Sequence, residues 1–171
     1  MRNQPALGGG ALPDIGVYPV VATRLVTGCE PTTVHGHVVF DETFGTDSFA
    51  SAHISFDSFD LNFYVSTNMA LRQTMCFHGE QGFIEMSAPF NADHYDQARI
   101  TLHNQNYSET QIYTFSSVNQ YRLQWEALAR AVQSKDDTEL FSLTNSVQNQ
   151  QVIDAIYRSA REQTVVGLAS T

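Results

Sequence analysis

The chain has 171 residues, of which 42% are hydrophobic and 16% are charged, a composition typical of a folded globular protein. Its formal net charge is −9 and its one lysine is Lys135, so a basic surface for a phosphate backbone, and hence nucleic-acid binding, is not expected. No apolar run reaches membrane-spanning length, and the first residues lack the pattern of a signal peptide.

The two cysteines, Cys29 and Cys76, lie far apart and lack the spacing of a metal site. Free, buried thiols in a reducing compartment are the simplest interpretation of this usage. We therefore predict a cytoplasmic protein.

The first predicted element is a helix over residues 12–27. Three glycines, Gly8–Gly10, precede it and allow an unusual backbone entry. Pro13 suits the first turn of a helix, where a backbone N–H has no partner within the helix and its absence does no harm. Asp14 suits the same turn because its negative charge interacts favourably with the positive end of the helix dipole. Gly28 is a suitable C-terminal stop.

The region from about 31 to 117 is predicted to form six or seven strands, mostly antiparallel because their connections are short. The strand segments are "TTVHGHVVF", "SFASAHISF", "LNFYVST", "RQTMCFHG", "GFIEMS", "ARITLH" and "TQIYTFS". Apolar residues at helical spacing predict two further helices, at about 120–134 and 142–162.

This order of elements predicts a single α+β domain over residues 1–171, with helices packed on one face of one large, mostly antiparallel sheet. The strands supply aromatic residues to both faces of that sheet. We therefore expect the face without helices to be open for oligomerisation and to be buried between the subunits of a homodimer.

Asp14 and Tyr18 are four residues apart, so in a helix they lie on one face, close to the glycines. A phenol beside a carboxylate can act as a proton donor, and Gly8–Gly10 at the positive helix end could let a small molecule approach the backbone. The alternatives are a dipole-stabilising aspartate and a packing tyrosine, and these residues alone leave both readings open.

The stretch "PALGGGALPDIGVYPVVATRLVTGCEP" resembles the opening of the substrate domain in the glucose-fructose oxidoreductase / inositol dehydrogenase (Gfo/Idh/MocA) family. The family's segment runs Gly-Gly-Gly-Ala-Leu, one residue, Asp-Ile/Val-Gly, one residue, then Tyr or His. "NQYRLQWEALARAVQ" is similar to the family's late helix, and "NQQVIDAIYRSARE" to its last helix. The resemblance spans nearly the whole chain.

This resemblance implies the substrate and oligomerisation domain of an enzyme that moves a hydride between NAD(P) and a sugar, cyclitol or related alcohol. It implies that Tyr18 transfers the proton, as in the tyrosine type that includes dihydrodiol dehydrogenase, and that Asp14 orients the substrate hydroxyl or Tyr18. Arg2 matches a basic position before the glycine run, and with Gly10 it is assigned to substrate binding.

Three parts of the family pattern are not found in this sequence. No G-x-G-x-x-G fingerprint follows a predicted strand. The family's catalytic lysine belongs to a Glu-Lys-Pro motif of the cofactor domain, whereas Lys135 lies at a helix end. The family's first strand before the glycines is also absent. We therefore expect the chain alone to bind no NAD(P) and to be inactive without a dinucleotide-binding Rossmann domain on the same polypeptide.

For other residues the sequence leaves two possible roles open. His35 and His37 share one strand face and could hold a metal or face solvent; because no third ligand is evident, no metal site is predicted. Tyr121 and Trp125, four apart in a helix, could stack on a sugar or pack in the core.

The loop "NADHYDQ" contains His94 and Tyr95. In the family this region can approach the pocket, so the resemblance implies substrate contacts for both residues, the alternative being a polar surface loop. Arg24 is interpreted as an arginine whose stem lies along the first helix while its head reaches water.

Three functions stay open. The first is the substrate domain of an NAD(P)-dependent oxidoreductase. The second is a non-catalytic dimerisation module that kept the fold, for which changing Tyr18 would have no consequence. The third is a small-ligand binder with measurable affinity for a polyol.

Overall fold

The computed structural model describes residues 2–92, 97–116, 118–138 and 140–168. Contacts divide the chain into two compact units, Met1–Met69 with Ser142–Thr171 and Ala70–Phe141. In chain order the elements are a 3₁₀ turn Pro5–Leu7, a π-helical segment Leu12–Gly16, α1 Val17–Thr27, β1 Thr33–Phe40, β2 Asp47–Ser55, β3 Asp60–Ser66, β4 Thr74–Gly79, β5 Gly82–Ser87, β6 Ala98–Asn104, β7 Thr110–Phe115, α2 Gln120–Ser134, α3 Leu143–Glu162 and β8 Val166–Gly167.

The first unit contains a four-stranded antiparallel sheet in the order β3-β2-β1-β8. Side chains alternate along β1, where Val34 is buried and His35 and His37 are exposed. The helix α3 packs on the buried face of β1. The buried apolar core of this unit is formed by Ala11, Leu12, Val20, Val34, Ala50, Ala52, Ile54, Phe56, Val65, Val152, Ile153, Ala155, Ile156 and Val166.

The approach of α3 to β1 requires a residue without a side chain. A Cβ at Gly36 would lie 2.7 Å from both the carbonyl oxygen and the Cγ2 of Ile156. The Gly36 N–H also donates to the Ser159 hydroxyl at 3.0 Å. The helix and the strand therefore meet through backbone as well as side chains.

The second unit is an antiparallel meander in the order β4-β5-β6-β7, followed by α2. Its buried apolar side chains include Met75 and Ala88, and His103 is its buried polar residue among those described. No residue of α2 is buried. Tyr121 and Trp125, predicted to pack or to stack, are 60% and 69% exposed.

The predicted α+β class and the antiparallel pairing are confirmed. The prediction of one large sheet is corrected, because the described strands form two sheets of four. The cause lies between β3 and β4, where residues 67–73 are irregular. A connection of that length does not impose the hairpin register that a two-residue turn would impose, so β4 pairs with β5 alone.

Candidate functional site at the opening of the first helix

The predicted helix over residues 12–27 begins as the π-helical segment and continues as α1. Single π turns inside helices occur frequently at functional sites, because the wider turn displaces side chains from their α-helical positions. Asp14 lies in the middle of this segment, and its N–H donates to the carbonyl of Gly10 at 3.2 Å.

Arg2 and Asp14, both predicted site residues, are in contact. The Arg2 Nε lies 2.6 Å from Asp14 Oδ2, and that oxygen is shielded from solvent although the two side chains are 61% and 38% exposed. The contact brings a positive charge to the Asp14 carboxylate.

Tyr18 is the second residue of α1 and is 44% exposed. It follows Asp14 by four residues along the same continuous helical path. The Tyr18 side chain is therefore accessible from solvent.

Gly10 lies against a buried carboxylate that the sequence reasoning missed. Its φ is +141°, and a Cβ at this position would collide with Oδ1 of Asp47. The other oxygen of Asp47 accepts a 2.6 Å hydrogen bond from the Leu12 N–H. Asp47 follows "FGT", so it resembles an ordinary turn residue, and no spacing in the sequence connects it with Gly10.

Asp47 also joins α3 to this region. The Tyr157 hydroxyl donates to Asp47 Oδ1 at 2.6 Å. Burial raises the pKa of the Tyr157 phenol, and the hydrogen bond to Asp47 and the charges of Asp47 and Asp154 raise this pKa further. Tyr157 therefore remains a hydrogen-bond donor at neutral pH.

The exposed face of the first sheet forms a shallow depression of about 740 Å³. Its lining includes His35, His37 and His53 with the aromatic rings of Phe49 and Tyr64. His35 and His53 are paired across β1 and β2. In the described part of the chain, no three His, Cys, Asp or Glu side chains are grouped to hold a metal ion.

Other predicted features are distributed elsewhere. His94 and Tyr95 lie outside the described residues, so their substrate contacts stay a prediction. Cys29 and Cys76 are free thiols, but both are exposed, so the prediction that they are buried was wrong. Partial burial and the charge of Glu85 raise the pKa of Cys76. Among the helices described, none combines the length and the apolar character needed to cross a bilayer.

Comparison with known proteins places this arrangement in a family. Residues 1–85 match the Gfo/Idh/MocA C-terminal domain. An uncharacterised oxidoreductase of Rhizobium meliloti is 35% identical over 92% of this chain and 48% of its own length. A D-xylose 1-dehydrogenase (NADP⁺) of Haloferax volcanii is 31% identical over 98% of this chain and 51% of its own length.

Solved structures have the same fold. The aldose-aldose oxidoreductase of Caulobacter crescentus, complexed with glycerol, aligns with a TM-score of 0.83 and 25% identity over 98% of this chain and 50% of its own. A 3-ketoreductase of Actinomadura kijaniata, as its Y186F mutant, aligns with a TM-score of 0.78 and 21% identity over 92% of this chain and 48% of its own. The chain belongs to the Gfo/Idh/MocA family, and it spans about half the length of the curated relatives it matches.

Proposed function

We propose that this chain is the substrate-binding and oligomerisation part of a cytoplasmic NAD(P)-dependent oxidoreductase acting on a sugar, cyclitol or related alcohol. The observation that carries the proposal is the arrangement of Arg2, Asp14 and Tyr18 around the opening of the first helix. A relative named as a xylose dehydrogenase and a similar structure holding glycerol support a polyhydroxylated substrate.

In this proposal Tyr18 exchanges the proton of the substrate hydroxyl. Its half-exposed side chain accepts that proton as the phenolate when the alcohol is oxidised, and as the phenol it returns the proton when the carbonyl is reduced. Asp14 accepts a hydrogen bond from the same or a neighbouring hydroxyl, and the ion pair with Arg2 keeps the Asp14 carboxylate in one direction.

The residues described here do not fit a dinucleotide. Every strand pair among them is antiparallel, whereas the dinucleotide-binding unit is a parallel βαβ unit. We therefore attribute NAD(P), which would carry the hydride, to polypeptide outside this chain. The chain by itself is expected to give no turnover.

The oligomerisation part of the proposal concerns the exposed face of β1, β2 and β3. Tyr64 on this face is 56% exposed and its ring stacks on Phe49, with 6.3 Å between the ring centroids. A second copy of this chain is the proposed occupant, in an isologous sheet-to-sheet contact.

The catalytic part is tested on the polypeptide encoded by this chain together with the in-frame sequence upstream of Met1. That polypeptide is assayed for reduction of NAD⁺ or NADP⁺ with D-xylose, D-glucose and myo-inositol. Tyr18→Phe is expected to lower kcat by about 10²- to 10⁴-fold with less effect on KM, since only the proton transfer is lost. Tyr113→Phe, at another exposed tyrosine, is the matched control.

Two outcomes count against this function. The first is a stop codon just upstream of Met1, with no partner domain on the same polypeptide. The second is an active enzyme in which Tyr18→Phe has the rate of the Tyr113→Phe control. Either result favours the ligand-binding or dimerisation module, which is then tested by polyol titration of the isolated chain.

A further inference from the structure

We infer that Asp47 is a positioning residue of this site, whose buried carboxylate holds the segment carrying Asp14 and Tyr18 in place. The role of the positioned residues rests on the proposed function. The contacts of Asp47 do not depend on it.

One carboxylate connects three separate parts of the chain. Asp47 begins β2 and is only 2% exposed. One of its oxygens accepts from the first N–H of the π-helical segment, at Leu12, and the other accepts from the hydroxyl of Tyr157 on α3. Both distances are 2.6 Å, and hydrogen bonds to an ionised carboxylate are stronger than those between neutral groups.

The position of this carboxylate explains why residue 10 is a glycine. Asp47 Oδ1 lies where a Cβ of residue 10 would stand, so any side chain there would displace the carboxylate. The first N–H of the helical segment is thus satisfied from within the chain. Gly10 makes room for Asp47, and its predicted contact with a substrate stays a prediction.

The hydrogen bond between Asp47 and Leu12 also constrains Asp14, because Leu12 and Asp14 are only two positions apart along the backbone. Leu12 is fully buried, so the residue that Asp47 binds cannot shift without disturbing the core. Asp14 follows two residues later, and its N–H donates to the carbonyl of Gly10, the residue that lies against Asp47. A displacement of the Leu12 N–H by 1 Å would therefore move the Asp14 carboxylate and its contact with Arg2.

The experiment compares Asp47→Ala and Asp47→Asn with the wild-type chain by amide hydrogen exchange and by NMR of ¹³C-labelled tyrosine rings. Asp41→Asn is the matched control, because Asp41 accepts from the N–H groups of Thr43 and Phe44 in a surface turn. The ring signals of Tyr18 and Tyr157 are assigned with the corresponding phenylalanine variants.

For Asp47→Ala we expect exchange at residues 12–16 to accelerate about tenfold or more relative to Ile153 and Ile156 in α3, which is the loss of one strong hydrogen bond expressed as a rate. The Tyr18 ring signal should shift. Asp47→Asn keeps one acceptor oxygen but loses the second acceptor and the charge, so it should accelerate this exchange and shift Tyr18 less than Asp47→Ala does, and Asp41→Asn should change neither readout.

Two results for Asp47→Ala would overturn the inference: amide exchange that accelerates equally in residues 12–16 and in α3, or an unchanged Tyr18 ring signal. Either result would show that Asp47 only stabilises the fold in general. If Asp47→Ala does not fold, Asp47→Asn decides alone: it should shift Tyr18 measurably, and an unshifted signal contradicts positioning. Because both readouts use the chain without cofactor or substrate, a failed turnover assay of Tyr18→Phe would refute the proposed function and leave this result standing.

Discussion

The guanidinium of Arg24 is buried and forms a two-pronged ion pair with the carboxylate of Glu30, with nitrogen–oxygen distances of 2.7 and 2.8 Å. The same guanidinium donates to the side chains of Asn145 and Gln148 at 3.1 and 2.9 Å. The sequence interpretation, in which the head of Arg24 reaches water, was wrong, because hydrogen-bond acceptors on α3 bury the guanidinium. Arg24 therefore ties the C-terminal half of α1 to the start of α3.

Arg24→Lys is expected to lower the free energy of unfolding by about 2 kcal/mol, because an ammonium cannot reproduce the planar fork that meets both oxygens of Glu30. Urea unfolding followed by circular dichroism measures the change. Arg161→Lys, at an exposed position near the end of α3, is the matched control and should stay within about 0.5 kcal/mol of wild type. Equal stability of the two variants would contradict the buried fork.

Tyr157 should make the stability fall at alkaline pH. Its pKa in the folded protein is raised by burial and by Asp47, so above the ordinary tyrosine pKa of about 10 the unfolded chain loses a proton that the folded chain keeps. The free energy of unfolding then decreases with rising pH, by up to about 1.4 kcal/mol per pH unit from this group.

The measurement is the urea midpoint between pH 9 and pH 11.5 for wild type, Tyr157→Phe and the exposed-site control Tyr64→Phe. Tyr157→Phe should show a shallower decline with pH than wild type, and Tyr64→Phe should follow wild type. Parallel slopes for wild type and Tyr157→Phe would show that the pKa of the Tyr157 phenol is the same in the folded and unfolded states.

Gly10→Ala is expected to cost about 2–4 kcal/mol, since it adds an unfavourable φ to a collision with Asp47. Gly8→Ala is the matched control: Gly8 also has positive φ, but a Cβ there meets no atom within 4 Å, so the cost should be about 1 kcal/mol. In an Asp47→Ala background the cost of Gly10→Ala should fall by about 1 kcal/mol. Additive effects would show that the two residues do not touch.

Self-association through the face of β1–β3 should be sensitive to a charge at Tyr64. Light scattering of the wild-type chain at micromolar concentration is expected to show a dimer, and Tyr64→Glu a monomer, because an unpaired carboxylate would be desolvated in the contact. Leu25→Glu, at an exposed position of α1, is the control and should stay dimeric. A monomeric wild type would remove the dimer from the proposed function.

The sequence was informative where a signal is local. The helical periodicities and the Gly-Gly-Gly-Ala-Leu-x-Asp-Ile-Gly-x-Tyr pattern are read directly along the chain, and they led to the opening of the first helix and to Asp14 and Tyr18. The pairing of Arg2 with Asp14 was not predictable, because the two residues are twelve positions apart and no regular element spans the interval. The division into two sheets was missed because strand propensity does not reveal which strands pair.

The sequence by itself determined the α+β class, the family and the residues that open the first helix, since each depends on short periodic or contiguous patterns. Only the tertiary structure decided that Asp47 anchors that opening and that Gly10 makes room for it. These contacts join residues 35 and 110 positions apart, and burial converts an unremarkable turn aspartate into the acceptor of two strong hydrogen bonds.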